Sequence, residues 1–242
     1  MLITSKDNNK IKEVRKLLDR KYSKEKGLFV IEGNNLITEA YKNNLLVELY
    51  VLDGTEIDFD FEYTNVTEDV MKTLSNLKST PRVLGVSKYK RTNDLGNKII
   101  VLDNLQDPGN AGTIIRNAVA FGIDTIIFSD TSVYPYHEKV LRSTGGMIFN
   151  INIVIGNIGN YINEIKRKDI KVIGTSLHTN SYLDTLEKLE EFAIIFGNEG
   201  NGISSEVLDT CDILVKIKMN ESCESLNVGV SSGIVLYHMF KG

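Results

Sequence analysis

The chain has 242 residues, a formal net charge of −4 and 25% charged residues, the composition of a water-soluble globular protein with room for one large domain or two ordinary ones. Two cysteines without a CxxC pair exclude a disulfide framework, and three scattered histidines give no metal-ligand spacing. No apolar run approaches the roughly 20 residues needed to cross a bilayer. The expectation is a metal-free protein of a reducing cytoplasm, neither exported nor membrane-embedded. The mild acidity leaves nucleic acid open as a partner, because phosphates need only a local positive field.

Such a field begins at once, since residues 6–26 and 78–98 are both strongly basic. Residues 6–21 place Ile11, Val14, Leu17 and Leu18 on one face, which predicts a single amphipathic, basic helix. A strand follows at 28–32 (LFVIE), then a helix at 34–43, a strand at 47–52, a helix at 67–77 entered from a Thr67 cap, and a strand at 82–87 after Pro81. Charge, Asn and Gly cluster over about 88–98, which marks a linker between a domain of residues 1–90 and a second of residues 98–242.

The second domain alternates. Strands are expected at 99–102, 125–128, 151–155, 171–174, 192–196 and 213–219. Helices are expected at 111–121, 137–143, briefly from 204, and at 226–240. Alternation of this kind means a mainly parallel sheet covered on both faces, so the fold class is α/β.

Three segments of this domain carry polar groups where strands end. The first is DPGNAGTIIRNA from Asp107, a strand-to-helix turn in which Asn110 can cap the helix and Arg116 sits about one and a half turns in. Its spacing is not GxGxxG, which disfavours a dinucleotide site. The second is IIFGNEGNGIS, an apolar strand running into Gly197, Gly200 and Gly202 around Glu199. That pattern suits a pocket floor where a ligand touches backbone beside one carboxylate. The third is VKIKMNESCESLNVGV, a strand ending in a polar loop, with Ser225 as the candidate cap of the last helix. Asn227 would then be a polar residue in a first turn without structural need of it. Each segment alone also reads as caps and turns.

In order and spacing the three together resemble the motifs of the SpoU (TrmH-like) branch of the SPOUT superfamily: Asn and Arg after the first strand, GxEGxG, then a hydrophobic strand followed by SLN. The first part of the chain, with its basic helix, FVIEG and TPRVLGV, is similar to that family's substrate-binding domain. The resemblance implies a small N-terminal α/β domain that binds RNA, joined to a SPOUT α/β domain with a mainly parallel sheet and a C-terminal trefoil knot. It implies an S-adenosyl-L-methionine-dependent RNA methyltransferase acting on a ribose 2′-hydroxyl, of rRNA ahead of tRNA, and a homodimer built on the C-terminal domain, where Val228, Ile234, Val235 and Met239 make the final helix apolar enough to pack. Carried over by position, Thr175, Gly197, Gly200, Ile217, Met219 and Leu226 hold the cofactor, while Asn110, Arg116, Glu199, Ser225 and Asn227 form the catalytic group. A guanidinium is too basic to serve readily as a base, so Arg116 is expected to bind phosphate and steady the forming alkoxide, oriented by Glu199, Ser225 and Asn227. Phosphate contacts are expected from the basic helix and from Arg82, Lys88, Lys90 and Arg91. The alternatives are a SPOUT enzyme methylating an RNA base and a noncatalytic RNA-binding or ribosome-assembly protein.

Overall fold

The computed structural model describes residues 2–58, 60–76, 79–90, 92 and 94–240. The chain divides into two compact units, Met1–Lys90 and Arg91–Gly242.

The first unit runs β1 (Leu2–Ile3), α1 (Asn9–Lys16), α2 (Arg20–Lys26), β2 (Leu28–Glu32), α3 (Asn34–Lys42), β3 (Leu46–Leu52), β4 (Thr64–Val66), α4 (Glu68–Leu74) and β5 (Val83–Lys88). Its sheet has the order β1-β4-β3-β5-β2 among the described residues. β1, β4 and β3 are parallel, and β5 runs antiparallel to both of its neighbours. The single basic helix expected over 6–21 is in fact two. Asp19 takes an extended backbone and its side chain accepts the Tyr22 N–H at 2.8 Å, which starts α2 afresh. α2 then ends on Gly27 in the left-handed region, at φ +68°. Ile11, Val14 and Leu17 still enter the core, beneath Val70, Met71 and Leu74 of α4. Thr67 does stand at the cap position of α4, but its hydroxyl is buried and makes no hydrogen bond, and the helix stops at Leu74. Leu77 lies outside the described residues.

The second unit runs β6 (Lys98–Leu102), α5 (Pro108–Ala120), β7 (Thr125–Ser129), α6 (Glu138–Thr144), β8 (Asn152–Gly156), α7 (Ile158–Arg167), β9 (Lys171–Thr175), β10 (Phe192–Phe196), α8 (Ser205–Leu208), β11 (Ile213–Val215) and α9 (Val228–Met239). Its sheet is parallel throughout, in the order β11-β9-β10-β6-β7-β8. β6, β7 and β10 are almost wholly apolar and buried, as strands covered on both faces must be. The chain lays down β6, β7 and β8 in one direction, then crosses to the other side of β6 for β9, β10 and β11. The order therefore reverses between β6 and β10, and the crevice outside the carboxyl ends of strands at such a point is where open α/β sheets bind ligands. The strand expected over 213–219 ends at Val215, because residues 217–220 pair with no strand.

Candidate functional site

Four carboxyl ends meet at that reversal, those of β6, β10, β9 and β11. Leaving β6, the buried Asp103 accepts the Ser204 N–H at 2.8 Å, and Asn104 takes a left-handed backbone (φ +56°). The hydroxyls of Ser129 and Ser132 accept the N–H groups of Asn104 and Leu105, each at 3.0 Å, so the turn hangs from the end of β7. The helix cap is Asp107, not Asn110: its carboxylate accepts the Asn110 N–H at 2.7 Å, with Pro108 in the first helical position.

Relieved of capping, the Asn110 side chain bridges the other two segments. Its Nδ2 donates to Glu199 Oε1 at 3.1 Å, and its Oδ1 accepts from Asn227 Nδ2 at 2.9 Å. Asn227 is itself the cap of α9, its Oδ1 accepting the N–H groups of Gly229 and Val230. The expectation that Ser225 caps α9 and that Asn227 has no structural need is therefore corrected. Ser225 is exposed, two residues before the cap.

Glu199 sits on a tight hairpin after β10, in which Asn198 and Gly202 exchange both main-chain hydrogen bonds at 2.9 Å. Its carboxylate accepts the Asp107 N–H at 2.9 Å and the Gln106 N–H at 3.2 Å as well as the Asn110 amide. Burial pushes the carboxyl upward, but these donors outweigh it and hold Glu199 below the usual carboxylate range. Glu199 is thus ionised through the neutral range. Its stabilising contacts are fully present above the ordinary carboxylate pKa and are lost only as the pH falls through the lowered value.

The glycines divide by cause. A Cβ on Gly197 would lie 2.1 Å from the Gly202 carbonyl carbon, and Gly202 has φ +69°, so the hairpin itself demands both. Gly200 answers to neither reason, since a Cβ there meets nothing nearer than Asn198 Oδ1 at 3.6 Å.

Between the hairpin and the 215–228 segment lies a cleft of about 510 Å³, in the range of small-molecule sites. All six residues expected to hold a cofactor line it: Thr175, Gly197, Gly200, Ile217, Met219 and Leu226. So do Glu199, Ser225 and Asn227. Phe196, Val215 and Val235 supply apolar wall. This slot, with unladdered backbone at 217–220 and the carboxylates of Glu199 and Glu224 in its lining, fits a ligand with an aromatic base and no phosphates.

Arg116 stands apart. It is exposed on α5, does not line the cleft, and among the described residues its side chain makes no hydrogen bond or ion pair. The expected orientation of Arg116 by Glu199, Ser225 and Asn227 is not found, because both oxygens of Glu199 serve the 106–110 turn and the Asn227 side chain serves Asn110 and the start of α9. Thr113 and Asn117 share the Arg116 face of α5, at i, i+3 and i+4, and they abut α9, Asn117 donating to Gly229 O and Ser232 Oγ. Gln106, Asp107 and Asn198 are the site residues that sequence reasoning missed. The DP step before a helix is a readable cap signal for Asp107, but the other two act through main chain far away in sequence.

The SpoU rRNA Methylase family model matches residues 97–237, and a model described as the MRM3-like substrate binding domain matches residues 8–85. The 23S rRNA (guanosine(2553)-2′-O)-methyltransferase RlmP of Bacillus subtilis is 33% identical over 244 residues, 98% of each chain. An AdoMet-bound rRNA methyltransferase from Sinorhizobium meliloti superposes with a TM-score of 0.83 at 26% identity, over 99% of this chain and 97% of that one. An RNA 2′-O ribose methyltransferase crystal structure does so with a TM-score of 0.81 at 27% identity, over 99% and 98%.

Proposed function

Because this chain belongs to the SpoU rRNA Methylase family, we propose that it transfers a methyl group from S-adenosyl-L-methionine to a ribose 2′-hydroxyl of ribosomal RNA in the cytoplasm. The observation that carries the reading is the Glu199–Asn110–Asn227 network at the rim of an apolar cleft outside the strand ends. The 2′-O-methyltransferase of Bacillus subtilis and the AdoMet-bound rRNA methyltransferase of Sinorhizobium meliloti support it. Bound in the cleft, the cofactor supplies an activated methyl group on its sulfonium. The residues of the chain do the rest. Backbone at Gly197, Gly200, Ile217 and Leu226, with Thr175 and Met219 beside it, holds the cofactor. Asn110, Glu199, Ser225 and Asn227 fix the rim against which the ribose is aimed, and Arg116, without a partner of its own, takes the RNA phosphate and steadies charge on the attacking oxygen.

The test is the product. A 2′-O-methyl group removes the nucleophile of alkaline cleavage, so ribosomal RNA treated with the enzyme should resist alkali at the phosphodiester after the target nucleotide. Normal cleavage at a labelled site would point to a methylated base, and absence of label to a protein without turnover.

In the same reading, the first unit offers RNA a basic face. Lys10, Lys12 and Lys16 are paired with Glu48, Asp7 and Glu13, which leaves the exposed Lys6, Arg15 and Lys21 of the α1–α2 face, with Arg82 and Lys88, for phosphates. Arg91 lies outside the described residues. Each such contact steepens the salt dependence of single-strand binding by about 0.7 in log–log slope, and an unchanged slope after neutralising Arg15, Lys21 and Lys88 would remove this face from the proposal.

A second copy completes the proposal. Of the four residues expected to pack there, Val235 and Met239 are in the core and Val228 lines the cleft, while Ile234 is exposed and forms a stripe with Val230 and Tyr237 at i, i+4 and i+7, with Tyr237 72% exposed. Tyr237→Glu is expected to turn a dimer into a monomer in sedimentation velocity at micromolar concentration. A wild-type chain that sediments as a monomer with full activity would remove the dimer.

A further inference from the structure

The residue before Glu199 is tied more tightly than Glu199 itself. Asn198 Oδ1 accepts the Gly200 N–H at 2.9 Å and the Asn201 N–H at 3.1 Å, which shapes the hairpin tip. Its Nδ2 donates to the Asn104 carbonyl at 2.9 Å, in the turn after β6. Its main-chain N–H and C=O are both paired with Gly202. Two N–H groups point at one atom of the amide and a carbonyl at the other, so the orientation of the side chain is unambiguous, and both a donor and an acceptor are required.

The far side of this link is itself held. Asn104 is left-handed, its N–H is anchored on Ser129, and Gln106 Nε2 donates to both Asn104 Oδ1 (2.8 Å) and the Thr131 carbonyl (2.9 Å). Two and three residues on, Gln106 and Asp107 present the N–H groups that grip the Glu199 carboxylate. The hairpin and the turn therefore meet at two successive points, Asn198 on Asn104 and Glu199 on Gln106 and Asp107. With both made, the tip cannot rotate about either.

We propose that Asn198 is a positioning residue for methyl transfer, whose amide clasps the glycine hairpin to the turn after β6 and so fixes the Glu199 carboxylate, and through Asn110 the rim of the site. The assignment rests on the reading that Glu199 serves the reaction. An isosteric Asn198→Asp keeps the acceptor for Gly200 and Asn201 but loses the donor and sets a carboxylate oxygen against the Asn104 carbonyl.

The experiment is a double-mutant cycle on the full-length chain, with Asn198→Asp, Glu199→Gln and the double variant compared in single-turnover methylation of ribosomal RNA at saturating S-adenosyl-L-methionine. The expected result is a loss of about tenfold or more in the rate for Asn198→Asp, from one broken hydrogen bond and the repulsion between the new carboxylate and the Asn104 carbonyl, which together loosen the hold on Glu199. Little further loss is expected when it is added to Glu199→Gln. Losses that multiply would show that Asn198 does not act through Glu199 and overturn the proposal. Full activity of Asn198→Asp beside an impaired Glu199→Gln would overturn the proposal and leave the reading of Glu199 standing. Full activity of Glu199→Gln would overturn that reading and this inference with it. If Asn198→Asp does not fold, Asn198→Ser serves in the same cycle, since its hydroxyl can accept from the tip but is too short to reach Asn104.

Discussion

Arg116→Ala is expected to abolish methyl transfer while S-adenosyl-L-methionine binds as before. The two jobs fall to different parts of the unit. The cleft is walled by the strand ends and the 197–228 segments, and Arg116 is not among its lining residues. Nor does the fold need the guanidinium, which is exposed and unpaired among the described residues, so truncation should leave the melting temperature nearly unchanged. On the proposed function, what would be lost is an interaction made only with the reacting RNA, which lowers the rate without touching cofactor affinity. Removing a donor aimed at developing negative charge costs on the order of 3 kcal/mol, roughly a hundredfold or more in rate. Lysine in its place keeps the charge but not the planar fork and should recover only part of the activity. Single-turnover rates and calorimetry of cofactor binding check the split. An alanine variant with wild-type rate, or one that no longer binds the cofactor, would place Arg116 in a different role.

Gly197→Ala is expected to be strongly damaging, and Gly200→Ala to be its informative opposite. At Gly197 the new carbon would sit 2.1 Å from one main-chain atom and 2.2 Å from another, the Ile203 nitrogen, and backbone cannot yield as a side-chain tip does. The hairpin must open by more than an ångström, which costs about 1–3 kcal/mol in stability and pulls Glu199 from its donors. Both cofactor affinity and rate should fall, each by about tenfold or more. Gly200 has room for the same carbon at 3.6 Å, so its alanine variant should melt with the wild type. Loss of cofactor binding there would report direct contact between ligand and main chain. Thermal melts and calorimetry on the two variants separate these outcomes, and a Gly197→Ala protein of unchanged stability would contradict the packing described.

The buried strands were the most legible part of the chain. β6, β7 and β10 are short apolar runs bounded by turn residues, and their positions follow from that alone. β1 and β4, of two and three residues, are too short to carry any period, and they exist because each pairs with a neighbour far along the chain. The break between α1 and α2 is hidden because Leu17 and Leu18 continue the helical period of Ile11 and Val14 past Lys16, where α1 ends, right up to the Asp19 that starts α2. α7 went unanticipated although its signal is present, with Asn157 as cap and Ile158, Ile162 and Ile165 at i, i+4 and i+7.

At the site, residue types were readable and partners were not. That Asn110, Glu199 and Asn227 matter could be seen from their place after strands, but the cap roles of Asp107 and Asn227 turn on helix starts that sequence fixes only to within a residue or two. The solitude of Arg116 depends on where Glu199 spends its oxygens, which is decided by a turn some 90 residues earlier, at Gln106 and Asp107.

That separation bears on how the protein comes to be able to work at all. Glu199 meets Asn110 across 89 residues of chain and Asn227 meets it across 117, and neither contact is possible until β10 has entered between β9 and β6. Such distant pairings bear the entropy of closing long loops before they return anything, and they belong to the slow, late stages of folding. During synthesis, the first unit and the β6–β8 half of the second can be complete while the cleft still has no floor. The rim residues of the site would then be among the last parts of the molecule to acquire their neighbours, and a nascent chain would have to leave its full length behind it before it could hold the cofactor.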